Sequence, residues 1–224
     1  AVGNVDIDET DDITLSSLSI NNGSITVDTA GAIIAESIAS HTDAAGNDIT
    51  LRTTSGDIWL GEVEAGAGNF SHAYLSTQQG SILVHSSGLT SVNLVADDAY
   101  LTATGHIGSA ESPISGQLNH LESMATYGNT YLDNAGTLEL GGAVSEHDGI
   151  ASGGEIIIIV DGAINITETI TAKPENPLAK GGITLQAEES SEPGRDITVA
   201  SSAALESSYS NIAILAGDNI TIEL

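Results

Sequence analysis

The chain has 224 residues and a formal net charge of −27, with four Lys and Arg against 31 Asp and Glu. That balance excludes a nucleic-acid binder, which needs clustered cations to neutralise phosphates, and it opposes docking on anionic membrane surfaces. A hydrophobic fraction of 40% and a mean hydropathy of +0.09 keep the chain out of the disordered class despite its acidity. Cys is absent, so disulfides, thiolate metal sites and iron–sulfur clusters are excluded, and stability has to come from burial and backbone hydrogen bonding.

Alternation at period two, the mark of a strand with one buried face, begins at once in Val5-Asp6-Ile7-Asp8 and Ile13-Thr14-Leu15. A phrase made of a Gly, Asp, Asn or Ser turn followed by Ile-x-Leu/Val/Ile then recurs. It reads Gly23-Ser24-Ile25-Thr26-Val27, Asn47-Asp48-Ile49-Thr50-Leu51, Gly56-Asp57-Ile58-Trp59-Leu60 and Gly80-Ser81-Ile82-Leu83-Val84. It returns at Gly154-Glu155-Ile156, Gly182-Ile183-Thr184-Leu185, Asp196-Ile197-Thr198-Val199 and Asn219-Ile220-Thr221-Ile222. Ile25 to Ile49 and Ile58 to Ile82 are both steps of 24 residues, Ile49 to Tyr74 is 25, and Ile197 to Ile220 is 23. Two phrases interleave within one period of about 24, which fits one coil of a parallel β-helix whose coils bury a core only by stacking. The chain then holds about nine coils, and at about 4.8 Å per strand the rod is roughly 45 Å long.

The fold expected is therefore all-β, a single-stranded parallel β-helix, with residues 1–224 as one continuous segment. Ile25, Ile49, Ile58, Ile82, Ile183, Ile197 and Ile220 should face inward, Tyr74 should open a strand, and Trp59 should face out. The stretch Pro113 to Met124 is the least regular and reads as a strand pair or one helical turn. Residues 172–181 and 188–195 hold three of the four Pro and read as loops protruding from the coils. The longest apolar run, Ile156 to Val160, is far too short for a membrane span, so no membrane insertion is expected. The strand-like pattern up to both ends, with no amphipathic cap helix, reads as a piece of a longer chain. Such a piece should continue into neighbouring coils of its parent or associate head to tail.

A family resemblance rests on a further motif. Thr104-Gly105-His106-Ile107-Gly108-Ser109-Ala110-Glu111-Ser112-Pro113-Ile114 resembles the Gly-x-Ile-Gly-x-x-x-x-Pro-Leu/Ile segment that punctuates giant bacterial surface proteins of the filamentous haemagglutinin type. In that family a Leu-rich strand, an aromatic-Leu strand and Leu-x-Leu-Gly-Gly follow. Here they correspond to Leu118 to Leu121, Tyr131-Leu132 and Leu138-Glu139-Leu140-Gly141-Gly142. The doubled phrase Gly46 to Leu60 is similar to the family's repeats. The resemblance implies a right-handed helix and a non-catalytic structural or adhesive rod, secreted or on the bacterial cell surface. Its implied partners are a host or neighbouring-cell surface and its glycans. It carries over no catalytic or cofactor-binding residue.

The residues that could carry chemistry point the same way. The six His, at 41, 72, 85, 106, 120 and 147, form no His-x-x-x-His or His-Glu-x-x-His pair. His72 and His85 fall near strands, where they could align across coils. Calcium candidates are the acids Asp6, Asp8, Asp11 and Asp12 near the start and the pair Asp97-Asp98, since turns rich in carboxylates and carbonyls suit that ion. No EF-hand loop and no Gly-Gly-x-Gly-x-Asp array occurs. A solvated acidic surface that keeps a β-rod soluble explains most of the 31 acids. The alternative function is a carbohydrate-processing β-helix enzyme of glycosidase type, which needs two carboxylates at a set separation and aromatic platforms for sugar. One Trp, one Phe and five Tyr leave few platforms.

Overall fold

The computed structural model describes residues 2–66, 70–85, 92–142, 149–175, 181–188 and 194–223. Within them lie 22 strands, paired in parallel, and no helix. The chain winds as a β-solenoid of about eight turns with about 24 residues each, one turn fewer than the period suggested.

Period-two alternation and the 24-residue step combine into columns. Ile33 pairs with Ile58, Ile58 with Ile82, Ile82 with Ile107, and Ile107 with Thr130. The same column runs on through Ile156 and Ile183 to Ile212. A second column runs from Val5 through Ile25, Ile49, Ala73 and Ala99 to Leu121. Between Ile25 and Leu121 every member of that column is fully buried. Each Ile or Leu taken from water this way stabilises the fold by about 1.5–3 kcal/mol, so one repeated phrase is enough to build a continuous core.

Three expectations change. Tyr74 does not open a strand on the inside: the strand His72–Thr77 begins two residues earlier, Ala73 takes the inward place opposite Ile49, and Tyr74 lies on the outer face beside Thr50. Ile220 pairs with Ile197 but is 49% exposed, because no strand covers the other side of the last described turn; the other six named Ile are fully buried. The stretch from Pro113 onward is one continuous strand, Ile114–Ala125. It looked irregular because the alternation breaks there: Leu118 and Leu121 both enter the core and two residues separate them, Asn119 and His120. The neighbouring strand Leu94–Ala103 does the same, with Ala96 and Ala99 inside and Asp97-Asp98 at the corner. Trp59 stands in an outward row between Ile34 and Leu83, as alternation requires.

The segment around Gly108 has a geometric meaning. Ile107 pairs with Thr130 and Ile114 with Leu132, two places on a single neighbouring strand. The intervening residues leave the coil as a small bulge, closed by Ser109 and Ser112, whose N–H groups donate to each other's carbonyls at 3.0 and 3.2 Å. Gly108 sits at φ +68°, and a Cβ there would lie 2.3 Å from the Tyr131 carbonyl oxygen. Turns are pinned to one another by buried hydroxyls. Thr29, Thr53 and Thr77 stack in register, and each donates to a carbonyl of the preceding turn: Asp11, Gly31 and Gly56 respectively.

Of the two expected loops, Ala172 ends the strand Ile170–Ala172 and Gly181 stands just before Ile183–Ala187. Residues 176–180 and 189–193 lie outside the described residues, as does His147.

Candidate functional site

The corner at Asp97-Asp98 is where polar chemistry gathers. Parallel register places outward residues of successive turns side by side, so His72 neighbours Asp98, Asp98 neighbours His120, and His120 neighbours Glu139. Asp48, in the turn preceding the strand Ile49–Thr53, joins the row from the turn before His72. Its Oδ1 accepts from the His72 backbone N–H at 3.0 Å and lies 3.1 Å from His72 Nδ1. His72 Nε2 lies 3.2 Å from Asp98 Oδ2, and His120 Nδ1 lies 2.8 Å from Asp98 Oδ1. Asn119 Nδ2 donates to Asp97 Oδ1 at 2.9 Å, and His120 Nδ1 is 3.8 Å from that same oxygen. His120 Nε2 stands 3.9 Å from Glu139 Oε2. The result is a line of alternating carboxylates and imidazoles that runs along the rod axis over five turns.

A second outward row flanks the first. It runs Asp6, Thr26, Thr50, Tyr74, Tyr100, Glu122. The His72 ring meets the Tyr74 and Tyr100 rings edge-on, with centroids 5.9 and 6.5 Å away. These rings dry the corner on one side: Tyr100 is 8% exposed and Glu122 fully buried, although both belong to outward positions. Burial, and then the charges of Asp48 and Asp98, push the Tyr74 hydroxyl up from its ordinary range. Burial and Asp98 do the same to Tyr100, whose hydroxyl donates to Asp98.

The side chains of Asp97 and Asp98 are 12% and 14% exposed, against 30% for His72 and 33% for His120. Burying two adjacent carboxylates is unfavourable unless donors or cations compensate them, and here imidazoles, an amide and a phenol converge on the pair. Among the described residues, His72, Asp97 and Asp98 are the group of three whose ligand atoms all lie within 4.8 Å of one another.

The remaining calcium candidates do not join them. Asp6 and Asp8 point outward on the strand Val5–Glu9, opposite Thr26 and Asp28. Asp12 Oδ1 accepts from the Ala32 N–H at 2.7 Å and so caps a turn, while Asp11 contributes its carbonyl to Thr29. His85 follows the strand Ile82–Val84, where its N–H donates to the Leu60 carbonyl, and does not align with His72. Sequence reading missed His120, Tyr74 and Tyr100 as members of the corner. The available signal was spacing: His72, Asp98 and His120 lie 26 and 22 residues apart, within the scatter of the period. Comparison with protein-family models, with curated proteins and with solved structures finds no match for this chain.

Proposed function

We propose that the chain is a segment of a non-catalytic structural or adhesive rod, belonging to a large bacterial protein of the filamentous haemagglutinin kind that is secreted or held at the cell surface. The observation that carries this reading is the parallel stacking of the described strands from Val5 to Ile222, in which each turn lies directly on the last. A structure that commits an inward column of Ile and Leu from every turn to an axial core makes a stiff spacer with a long outer surface. The Gly108 bulge supports the family likeness, since it gives a physical reason for the motif's second Gly and for its final Ile. The acidic exterior suits a secreted rod that has to stay dispersed. Retention at a host or neighbouring-cell surface, through glycans among other ligands, is the partner reading that follows.

The experiment is adhesion with the purified chain. Beads coated with it should bind epithelial cells or neighbouring bacteria, and soluble chain should compete them off. Incubation with a panel of polysaccharides should release no reducing ends. Multiple turnovers per chain on any of them would replace the rod reading with that of a carbohydrate-processing enzyme.

A further inference from the structure

We propose that His72, Asp97 and Asp98 form a binding site for a divalent transition-metal ion of the zinc type on the outer corner of the solenoid. Two donors bound tetrahedrally to one such ion at about 2.1 Å stand about 3.4 Å apart. His72 Nε2 and Asp98 Oδ2 are 3.2 Å apart, already at that separation. All three ligand atoms fall within 4.8 Å of one another.

The second observation is how each ligand is held from behind. A metal-bound imidazole ordinarily gives its other ring N–H to a carboxylate, which selects the tautomer and orients the ring. Asp48 Oδ1 stands 3.1 Å from His72 Nδ1, placed to accept the Nδ1–H hydrogen bond of the tautomer that a metal at Nε2 requires. In that tautomer His72 Nε2 presents a lone pair 3.2 Å from Asp98 Oδ2, and a carboxylate only accepts, so a cation between them is held by both. Asp98 is fixed through its other oxygen by His120 Nδ1–H at 2.8 Å, and Asp97 through Oδ1 by Asn119 Nδ2–H at 2.9 Å. Three ligands and three orienting partners, supplied by four successive turns, make a site from parallel register alone.

The donor set chooses the ion. Calcium takes six to eight oxygens, whereas one imidazole with two carboxylates suits zinc and its neighbours. The His72 side chain is 30% exposed, so remaining coordination positions open to water. A dication beside two carboxylates also lowers the net negative charge at the corner, which favours the ion further. Held there, the ion ties the turn that carries His72 to the turn that carries Asp97 and Asp98. It acts as a clip between coils.

Isothermal titration with ZnCl2 tests this, alongside thermal melting with zinc and with chelator. One saturable site per chain is expected, with a melting temperature that zinc raises and chelator restores. His72→Gln and Asp98→Asn should abolish that site. Asp48→Asn, a positioning change, should weaken it about ten- to a hundredfold. Asp8→Asn, on the outer acidic strand, should leave it unchanged. Because Asp98 is largely buried, folding of each variant is checked by its melt without metal. The wild type supplies a readout independent of the variants: in a histidine-labelled nitrogen-15 spectrum, zinc should shift one Nε2 resonance while its Nδ1 stays protonated. Unmoved histidine resonances, zinc affinity retained in folded His72→Gln, or calcium bound more tightly than zinc would each overturn the proposal.

Discussion

The rings of Tyr74 and Tyr100 lie face to face, 4.7 Å between centroids and 8° from parallel, because the two residues occupy the same outward place on successive turns. Stacking in register puts like side chains on one another, and for aromatics that contact is worth about 0.5–1.5 kcal/mol beyond the area buried. A double-mutant cycle with Tyr74→Ala and Tyr100→Ala should return a coupling of about that size. Additive effects of the two changes would show that the rings merely sit near each other.

The same pair makes stability depend on alkaline pH. Burial and the Asp98 carboxylate raise the Tyr100 hydroxyl above its ordinary value, so the neutral phenol is the form the fold prefers. The unfolded chain ionises first, near pH 10, and the folded form only above that. The contribution is thus fully present below about pH 10 and is lost as pH climbs from there toward the folded value. Denaturant melts from pH 8 to 11 should show this decline, and Tyr100→Phe should flatten part of it.

Asp133 carries the opposite practical consequence. Burial first, and the nearby Glu188 second, raise its carboxyl above the ordinary range. The protonated form is favoured in the fold, so stability from this group is present below the unfolded value, near pH 4, and declines as pH rises through the folded one. At neutral pH the charge is a net cost. Asp133→Asn should therefore raise the melting temperature at pH 7 and change it less at pH 3. A loss of stability at pH 7 would mean that the carboxylate is compensated.

Core and rim Ile should respond in different ways. Ile58 is fully buried between Ile33 and Ile82, whereas Ile220 is 49% exposed on the last described turn. Ile58→Asp places a carboxylate among apolar side chains and should cost about 4 kcal/mol or more. Ile220→Asp should cost less than about 1 kcal/mol. Equal losses in chemical denaturation would contradict the burial difference.

Two glycines with positive φ separate strain from collision. Gly46, at φ +85°, has no heavy atom within 4 Å of a built Cβ, while Gly108, at φ +68°, would bring one to 2.3 Å from the Tyr131 carbonyl. Gly46→Ala should cost about 1 kcal/mol for the left-handed conformation. Gly108→Ala should cost more, because backbone on the next turn has to shift as well. Thermal melts of both variants compare the two costs directly.

The solenoid itself is written in the chain. Alternating Ile and Leu define which face of each strand is buried, and the 24-residue return of the Gly-Asp-Ile phrase requires that strands stack in parallel, because only neighbouring turns can bury that face. Local pattern therefore settles the core positions Ile25, Ile49, Ile58 and Ile82. Tertiary structure decided everything that depends on register between turns. Tyr74 is one residue out of the repeat, and only pairing shows that Ala73 goes inside. The corner at Asp97-Asp98 breaks the alternation, so sequence offers the pair as a calcium candidate but does not show which side chains gather round it. The outer row Asp48, His72, Asp98, His120 joins residues whose spacings drift from 22 to 26, since turns differ in loop length while the strands stay in step. Burial sets the core one strand at a time; an outer site is set by the sum of the loops between strands, and that sum is fixed only when the turns are stacked.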